Sequence, residues 1–238
     1  MILGLIPARL KSKRLKNKLL LNLNNMPLII HTLKNASQSK KLNKLFVCTD
    51  SKKIFDIVKK NNGLPIMTSK KYTNGTERIA SVARKSKAKL VIDIQGDEVF
   101  VDPRSIDKVI NFHLKNYNTD IIIGSCRTNR VFDKSIVKLI FNKNGNIYDM
   151  TREDKYSKFR PRDLFKQVDI ISFKPEKLIK FSKLKQSKNE INRKIELMRA
   201  LDNNFTIKTV ILKTDSFSIN TKKDFDEAKK KINEKIIK

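Results

Sequence analysis

The sequence is poor in groups that do chemistry on their own. Two cysteines and two histidines occur among 238 residues. Cys48 and Cys126 each lie in or beside an apolar, strand-like run and have no partner at metal-ligand spacing. That argues against a zinc site and for reduced, buried thiols, although counting alone leaves one bridge open. His31 and His113 each stand alone in predicted helices, so neither transition-metal binding nor nucleophilic catalysis is indicated, and packing or surface roles are expected. The phosphate-binding loop GxxxxGK[ST] is absent. No apolar run is long enough to span a bilayer, and MILGLIPARLKSKRL lacks the basic-then-apolar order of a signal peptide. A soluble, cytoplasmic protein without a membrane partner is expected.

Acidic residues are also scarce: 24 Asp and Glu against 53 Lys and Arg, a formal net charge of +29. Such an excess suits nucleic acid, anionic lipid or a phosphorylated ligand. A nucleic-acid module gathers its basic residues with interleaved aromatics on one face or tail. Here lysines are spread over nearly every predicted helix, which favours a solvated basic surface over a binding stripe. A specific nucleic-acid partner is therefore not expected.

What is present is alternation. ILGLIP (2–7), KLFVCTD (44–50), LPIMT (64–68) and AKLVIDIQ (88–95) read as strands. Between them lie helical patterns over 27–37, over 51–62 with Ser51 as cap and Gly63 as stop, and after NGTER with Thr76 as a possible cap. A further helix covers 103–117. Strands buried on both sides alternating with helices predict an α/β fold, a mostly parallel sheet with helices on both faces. After residue 118 the pattern becomes richer in β: a strand at 120–128, a hairpin around Asn144-Gly145, a polar basic loop over 152–163 and a strand at 164–173. Helices are expected at 174–181 and 191–201, short strands at 205–212 and 217–220, and a last helix over 221–236. No repeat or long linker is present. The expectation is one domain over 1–238, with a nucleotide-binding half (1–118), an elaboration (119–220) and a C-terminal helix (221–238).

Ligands of open parallel sheets bind beyond the carboxyl ends of the strands. After the first strand come Arg9, Lys11, Lys13, Arg14, Lys16 and Lys18, a loop able to wrap a triphosphate. After the third comes NGTER, where a helix N-terminus suits an anion, though a capped helix with a solvated Arg78 explains the stretch equally well. After the fourth comes QGDE. Mg²⁺ takes oxygen ligands and uses one or two carboxylates with substrate phosphates. Asp97 suits that role, with Gln95 free to hydrogen-bond a base, while an ordinary polar turn remains the plainer reading of these residues.

Together these stretches resemble the 3-deoxy-manno-octulosonate (Kdo) cytidylyltransferases. IPARLKSKRLKNKLL matches a family pattern of IPAR followed by a basic S-x-R-L-P-G-K loop; CTDS, NGTER and QGDEV match TDD, SGTER and QGDEP in order and spacing. In the second half, Met150-Thr151-Arg152 is similar to the end of YFSR, and IELMR (195–199) to LEQLR. The resemblance implies a three-layer α/β/α nucleotide-diphospho-sugar transferase-like fold, a homodimer through the second-half β elements, and Mg²⁺ as cofactor. It implies transfer of CMP from CTP to the anomeric hydroxyl of a keto-sugar acid, Kdo foremost, for cell-surface polysaccharide or lipopolysaccharide synthesis. Arg9, Arg14 and Lys18 then meet the phosphates, Arg78 and Gln95 the nucleotide, and Arg152 and Glu196 the sugar acid. Arg9, Lys18 and Asp97 form the catalytic set, and Asp97 binds the metal. The departures are local. Lys16-Asn17-Lys18 replaces PGK and loses its Pro-Gly turn. Asn220 stands where the family has a second metal-binding Asp, Gln167 where it has His, and Leu197 where it has Gln. These changes imply weaker metal binding and an altered sugar side. The alternatives are a CTP-binding paralogue with another acceptor or little activity and, on charge alone, a nucleic-acid-binding protein.

Overall fold

The computed structural model describes residues 1–10, 12, 14–153, 164–214 and 217–236. Lys11, Lys13 and nearly all of the loop expected over 152–163 lie outside the described residues. One sheet organises the chain. Its strands are β1 (Ile2–Ala8), β4 (Lys44–Thr49), β5 (Leu64–Met67), β6 (Leu90–Ile94), β7 (Ile121–Arg127), β8 (Lys138–Phe141), β9 (Ile147–Thr151), β10 (Phe165–Phe173) and β11 (Ile207–Ile211). The order is β11-β7-β10-β6-β1-β4-β5, with β8 paired to β10 and to β9. β1 runs parallel to β4 and β6, β4 to β5, and β7 to β11. The exception lies at the centre: β10 is antiparallel to both β6 and β7. A strand from the second half thus divides the parallel strands and lies directly beside QGDE.

The pleat explains the layers. Successive side chains of β1 point to opposite faces. Ile2, Ile6 and Ala8 join the core formed with Ile29, Ile30, Ile54 and Ile106 from α1 (Leu28–Ala36), α2 (Lys52–Lys60) and α4 (Pro103–Lys115). Leu3 and Leu5 join the opposite core with Ile79, Leu178 and Met198 from α3 (Gly75–Ala83), α5 (Pro175–Phe181) and α7 (Met198–Asp202). The expected helices on both faces follow. A third, smaller core packs Phe225 and Ala228 of α8 (Lys222–Ile236) against Leu23, Leu28, Val99 and Ile219.

Several local expectations are corrected. The helix expected over 191–201 is two pieces, α6 (Lys188–Arg193) and α7, because Lys194 takes a left-handed φ of 55°. Asn62 (φ 58°), not Gly63, takes the left-handed position after α2. Gly63 is demanded instead by packing, since a Cβ there would come within 2.5 Å of the Leu33 side chain. Residues 217–220 form no strand; Phe217 N donates instead to the Glu98 carboxyl at 3.2 Å. A two-residue hairpin, β2 (Asn22–Leu23) with β3 (Met26–Pro27), escaped the sequence reading. Its turn residues Asn24 and Asn25 both have positive φ, as a type I′ turn requires. The Asn144-Gly145 hairpin forms as expected, with Gly145 at φ 77°. Cys48 and Cys126 are buried and, among the described residues, form no disulfide. His113 is buried, with one ring nitrogen 2.6 Å from Ser172 Oγ and the other 3.1 Å from the Thr119 carbonyl, and burial lowers its pKa to about 4. It is a neutral packing group. Among the described residues no helix is long and apolar enough to cross a membrane.

Candidate active site

Pro7 is where the three quoted stretches meet. A Cβ on Gly75, in NGTER, would lie 3.2 Å from the Pro7 ring, and one on Gly96, in QGDE, 3.1 Å from the Pro7 carbonyl. Small residues at both positions let the loops after β5 and β6 close on the end of β1. From α1, Thr32 Oγ1 donates to the Gly96 carbonyl at 3.0 Å and Asn35 Nδ2 to the Val99 carbonyl at 2.7 Å. These bonds hold the acidic turn rigid. Neither residue is marked by anything in the sequence beyond its helical setting.

Lys18 is presented by a single 3-10 turn, Lys18–Leu20, anchored by buried Leu19. The turn opens at Asn17, whose φ of 51° is left-handed, a conformation Asn tolerates better than most non-glycine residues. The Pro-Gly sequence is missing, but Asn17 provides a left-handed turn residue immediately ahead of the lysine. The Lys18 ammonium donates to Asp97 Oδ2 and, at 3.2 Å, to Asn220 Oδ1. Arg14 Nη2 donates to the same Asn220 oxygen at 2.7 Å. Asn220 is itself fixed. Ile219 is fully buried in the third core and its N–H donates to the Asp97 carbonyl at 3.2 Å, while Asp224 accepts from the N–H groups of Asn220 and Thr221. Burying an Ile side chain completely contributes roughly 2–3 kcal/mol. Packing therefore sets the distance between position 220 and Asp97.

The other expected site residues are distributed around this centre. Arg9 is exposed and donates to the Thr73 carbonyl at 3.3 Å, tying the first loop to NGTER. Gln95 donates through Nε2 to both oxygens of Asp93, at 3.1 and 3.2 Å. Arg78 is not solvated: it is 3% exposed, paired with Asp50 at 2.8 Å and bonded to Thr68 Oγ1. Asn74, not Thr76, caps α3, accepting from Glu77 N at 2.8 Å, and the Thr76 hydroxyl bonds Glu196. Glu196 also pairs with Arg199 at 3.2 Å. Arg152 donates to the carbonyls of Ser135 (2.6 Å) and Lys194 (3.3 Å) and lies within the fields of Asp169 and Arg14. Lys18, Arg14, Asp97 and Asn220 are brought into direct contact; Arg9, Arg78, Gln95, Arg152 and Glu196 are not bonded to them.

Three carboxyl groups join the site that the sequence reading left without a role: Asp93, Glu98 and Asp169. Burial pushes Asp93 well above the usual carboxylate range, helped by the charges of Glu196 and Asp169. Burial raises Glu98 to about 8, with the Asp169 charge next in weight and the Ser218 bond opposing. Asp169 is raised by burial and then by Asp97, against hydrogen bonds from Gln167 and Ser218. Glu196 is raised mainly by burial. The available signal for Asp169 was an acid inside an otherwise apolar strand, QVDIISF, which is costly unless paired or used.

The donor set suits a hard cation. The Lys18 ammonium shows that Asp97 Oδ2 and Asn220 Oδ1, from separate elements, converge on one cationic position. Both are oxygen donors, as Mg²⁺ prefers. Among the described residues no His, Cys, Asp and Glu side chains gather three at a time into a metal cage. Such a cage is not needed where phosphates and water complete the shell.

The chain is similar to known proteins over nearly its whole length. The 3-deoxy-manno-octulosonate cytidylyltransferase of Thermodesulfovibrio yellowstonii is 33% identical, with 96% of each chain covered. That of Chlorobium phaeobacteroides is 31% identical, with 94% of each covered. The solved structure of a CMP:2-keto-3-deoxy-manno-octonic acid synthetase complexed with CTP superposes with a TM-score of 0.91, covering 98% of this chain and 99% of that one. At 23% identity that match establishes the fold alone. The cytidylyltransferase family model matches residues 3–220, from the first strand to the asparagine beside Asp97. On that match and those relatives, the chain belongs to the cytidylyltransferase family.

Proposed function

We propose that the protein transfers CMP from CTP to the anomeric hydroxyl of 3-deoxy-manno-octulosonate, releasing pyrophosphate. The observation that carries this reading is the convergence of Lys18, Arg14, Asp97 and Asn220 beyond the carboxyl ends of β1 and β6. The names of the 31–33% identical relatives support the acceptor. The acceptor oxygen forms a bond to the α-phosphorus as the bond to the departing pyrophosphate oxygen breaks. The protein's work is to hold the reactants in line and to neutralise phosphate charge. Lys18 and Arg14, with Arg9 at the mouth, supply the positive charge. Gln95, fixed by Asp93, presents its amide to the base, and Arg152 meets the sugar-acid carboxylate. Asp97 and Asn220 would hold Mg²⁺, which supplies charge neutralisation and a fixed orientation for phosphate oxygens. A homodimer through the second-half β elements belongs to the same reading. Phe132 before β8 and Tyr148 on β9, both largely exposed aromatics, support it.

The test is pyrophosphate release from each nucleoside triphosphate across a panel of keto-sugar acids. The expected result is turnover with CTP and Kdo. CTP binding without turnover on any acceptor would favour the weakly active paralogue, the reading suggested by Gln167 and Leu197. Asn220→Asp adds a charge to the metal position, so the Mg²⁺ concentration giving half-maximal activity should fall several-fold. An unchanged Mg²⁺ titration would remove Asn220 from the metal site.

A further inference from the structure

Lys138 is a lysine only 1% exposed. It opens β8 where that strand meets two others, opposite Thr151 of β9 and Lys166 of β10. Burying an ammonium is costly, and a methionine would fill much the same space without that cost. The charge is used on backbone. Nζ donates to the Asp133 carbonyl at 3.0 Å and to the Arg152 carbonyl at 3.1 Å. Lys138 therefore ties the end of β9 to the segment that precedes β8.

Arg152 closes the same junction from its other side. Its Nη1 donates to the carbonyls of Ser135 (2.6 Å) and Lys134 (3.4 Å), and its Nε to the Lys194 carbonyl at 3.3 Å. Residues 133–135 are thus held at one end by the Lys138 ammonium and at the other by the Arg152 guanidinium. Within them the Asp133 carboxylate accepts from Ser135 N at 2.7 Å and pairs with Arg130. Among the described residues the Arg152 side chain bonds backbone carbonyls alone, and Nη2 takes part in none of these bonds. A guanidinium held in this way keeps its full charge and one edge of N–H donors for a carboxylate.

We propose that Lys138 is a positioning residue for the sugar acid. Its buried ammonium fixes the Arg152 backbone and the segment whose carbonyls aim the guanidinium, leaving Nη2 for the acceptor carboxylate. The inference rests on the reading of Arg152 as the group that meets that carboxylate. The test is steady-state kinetics with CTP and Kdo, each varied in turn. Lys138→Met should raise KM for Kdo about tenfold, with kcat and KM for CTP within about twofold of wild type. In an Arg152→Gln background the same substitution should add almost nothing, whereas a general packing defect would cost as much in either background. Thermal melts establish that the variants are folded. If Lys138→Met does not fold, Asp133→Ala loosens the same segment from its half-exposed side and should raise KM for Kdo about two- to fivefold. An unchanged KM for Kdo in a folded Lys138→Met, or failing that in Asp133→Ala, would overturn the inference. So would an equal rise in KM for CTP, or a loss that persists undiminished beside Arg152→Gln. Wild-type protein that turns over no keto-sugar acid would end the reading of Arg152 and this inference with it. A working wild type with an indifferent variant would end the inference alone.

Discussion

Asp97→Asn is expected to lower kcat by about 10³-fold or more while leaving the fold intact. The exchange is isosteric, and the backbone contact that fixes the turn, from Ile219 N to the Asp97 carbonyl, does not involve the side chain. The melting temperature should therefore stay within a few degrees of wild type. What disappears is the charge on which the Lys18 ammonium is seated. The substituted amide would offer that ammonium, or a divalent cation, a neutral oxygen beside the neutral oxygen of Asn220. Steady-state assays with CTP at saturating Mg²⁺ measure the effect, and wild-type-like turnover would sink the assignment of Asp97. A second signature separates charge from geometry. The Asp97 charge helps to raise Glu98, so the Glu98 titration should move downward in Asp97→Asn and stay in place in variants that leave this charge alone.

The parts of the site legible in the sequence are those fixed by local chain geometry. Arg9 directly follows a buried strand, Asp97 follows Gly96, and Lys18 closes a basic loop; each lies beyond a strand end whose apolar run is visible in the sequence. Less legible were features decided by distant partners. β10 reads as a strand, but nothing in QVDIISF says that it will enter the sheet antiparallel beside β6, and that placement alone sets Asp169 against Gln95. Residues 217–220 have strand-like composition, yet Phe217 N and Ser218 Oγ are taken by Glu98 and Asp169, Ile219 N by the Asp97 carbonyl and Asn220 N by Asp224. Arg78 reads as a free cation beside an anion site and is a buried partner of Asp50. Lys194 breaks a helical pattern with a left-handed φ that its residue type does not announce. In each case a tertiary contact overrode a local preference.

Glu98 leads to the second large expectation, a stability that falls as pH rises. The group is 2% exposed and holds its proton to about pH 8, against an ordinary value of 4.5. Between these values the folded state carries a proton that the unfolded chain has released, so unfolding free energy declines with pH across that window and levels above about 8. Each pH unit is worth about 1.4 kcal/mol, which bounds the effect at roughly 4–5 kcal/mol. Asp93 and Asp169 are raised as well and act in the same direction, so the wild-type curve alone does not isolate Glu98. The variant Glu98→Gln does. Its amide keeps a polar group against Ser218 Oγ, its oxygen accepts from Phe217 N, and it cannot ionise. Urea denaturation in EDTA should find the two proteins similar near pH 5 and the variant more stable by several kcal/mol at pH 9. Parallel stability profiles for wild type and variant would mean that Glu98 does not hold its proton in the fold.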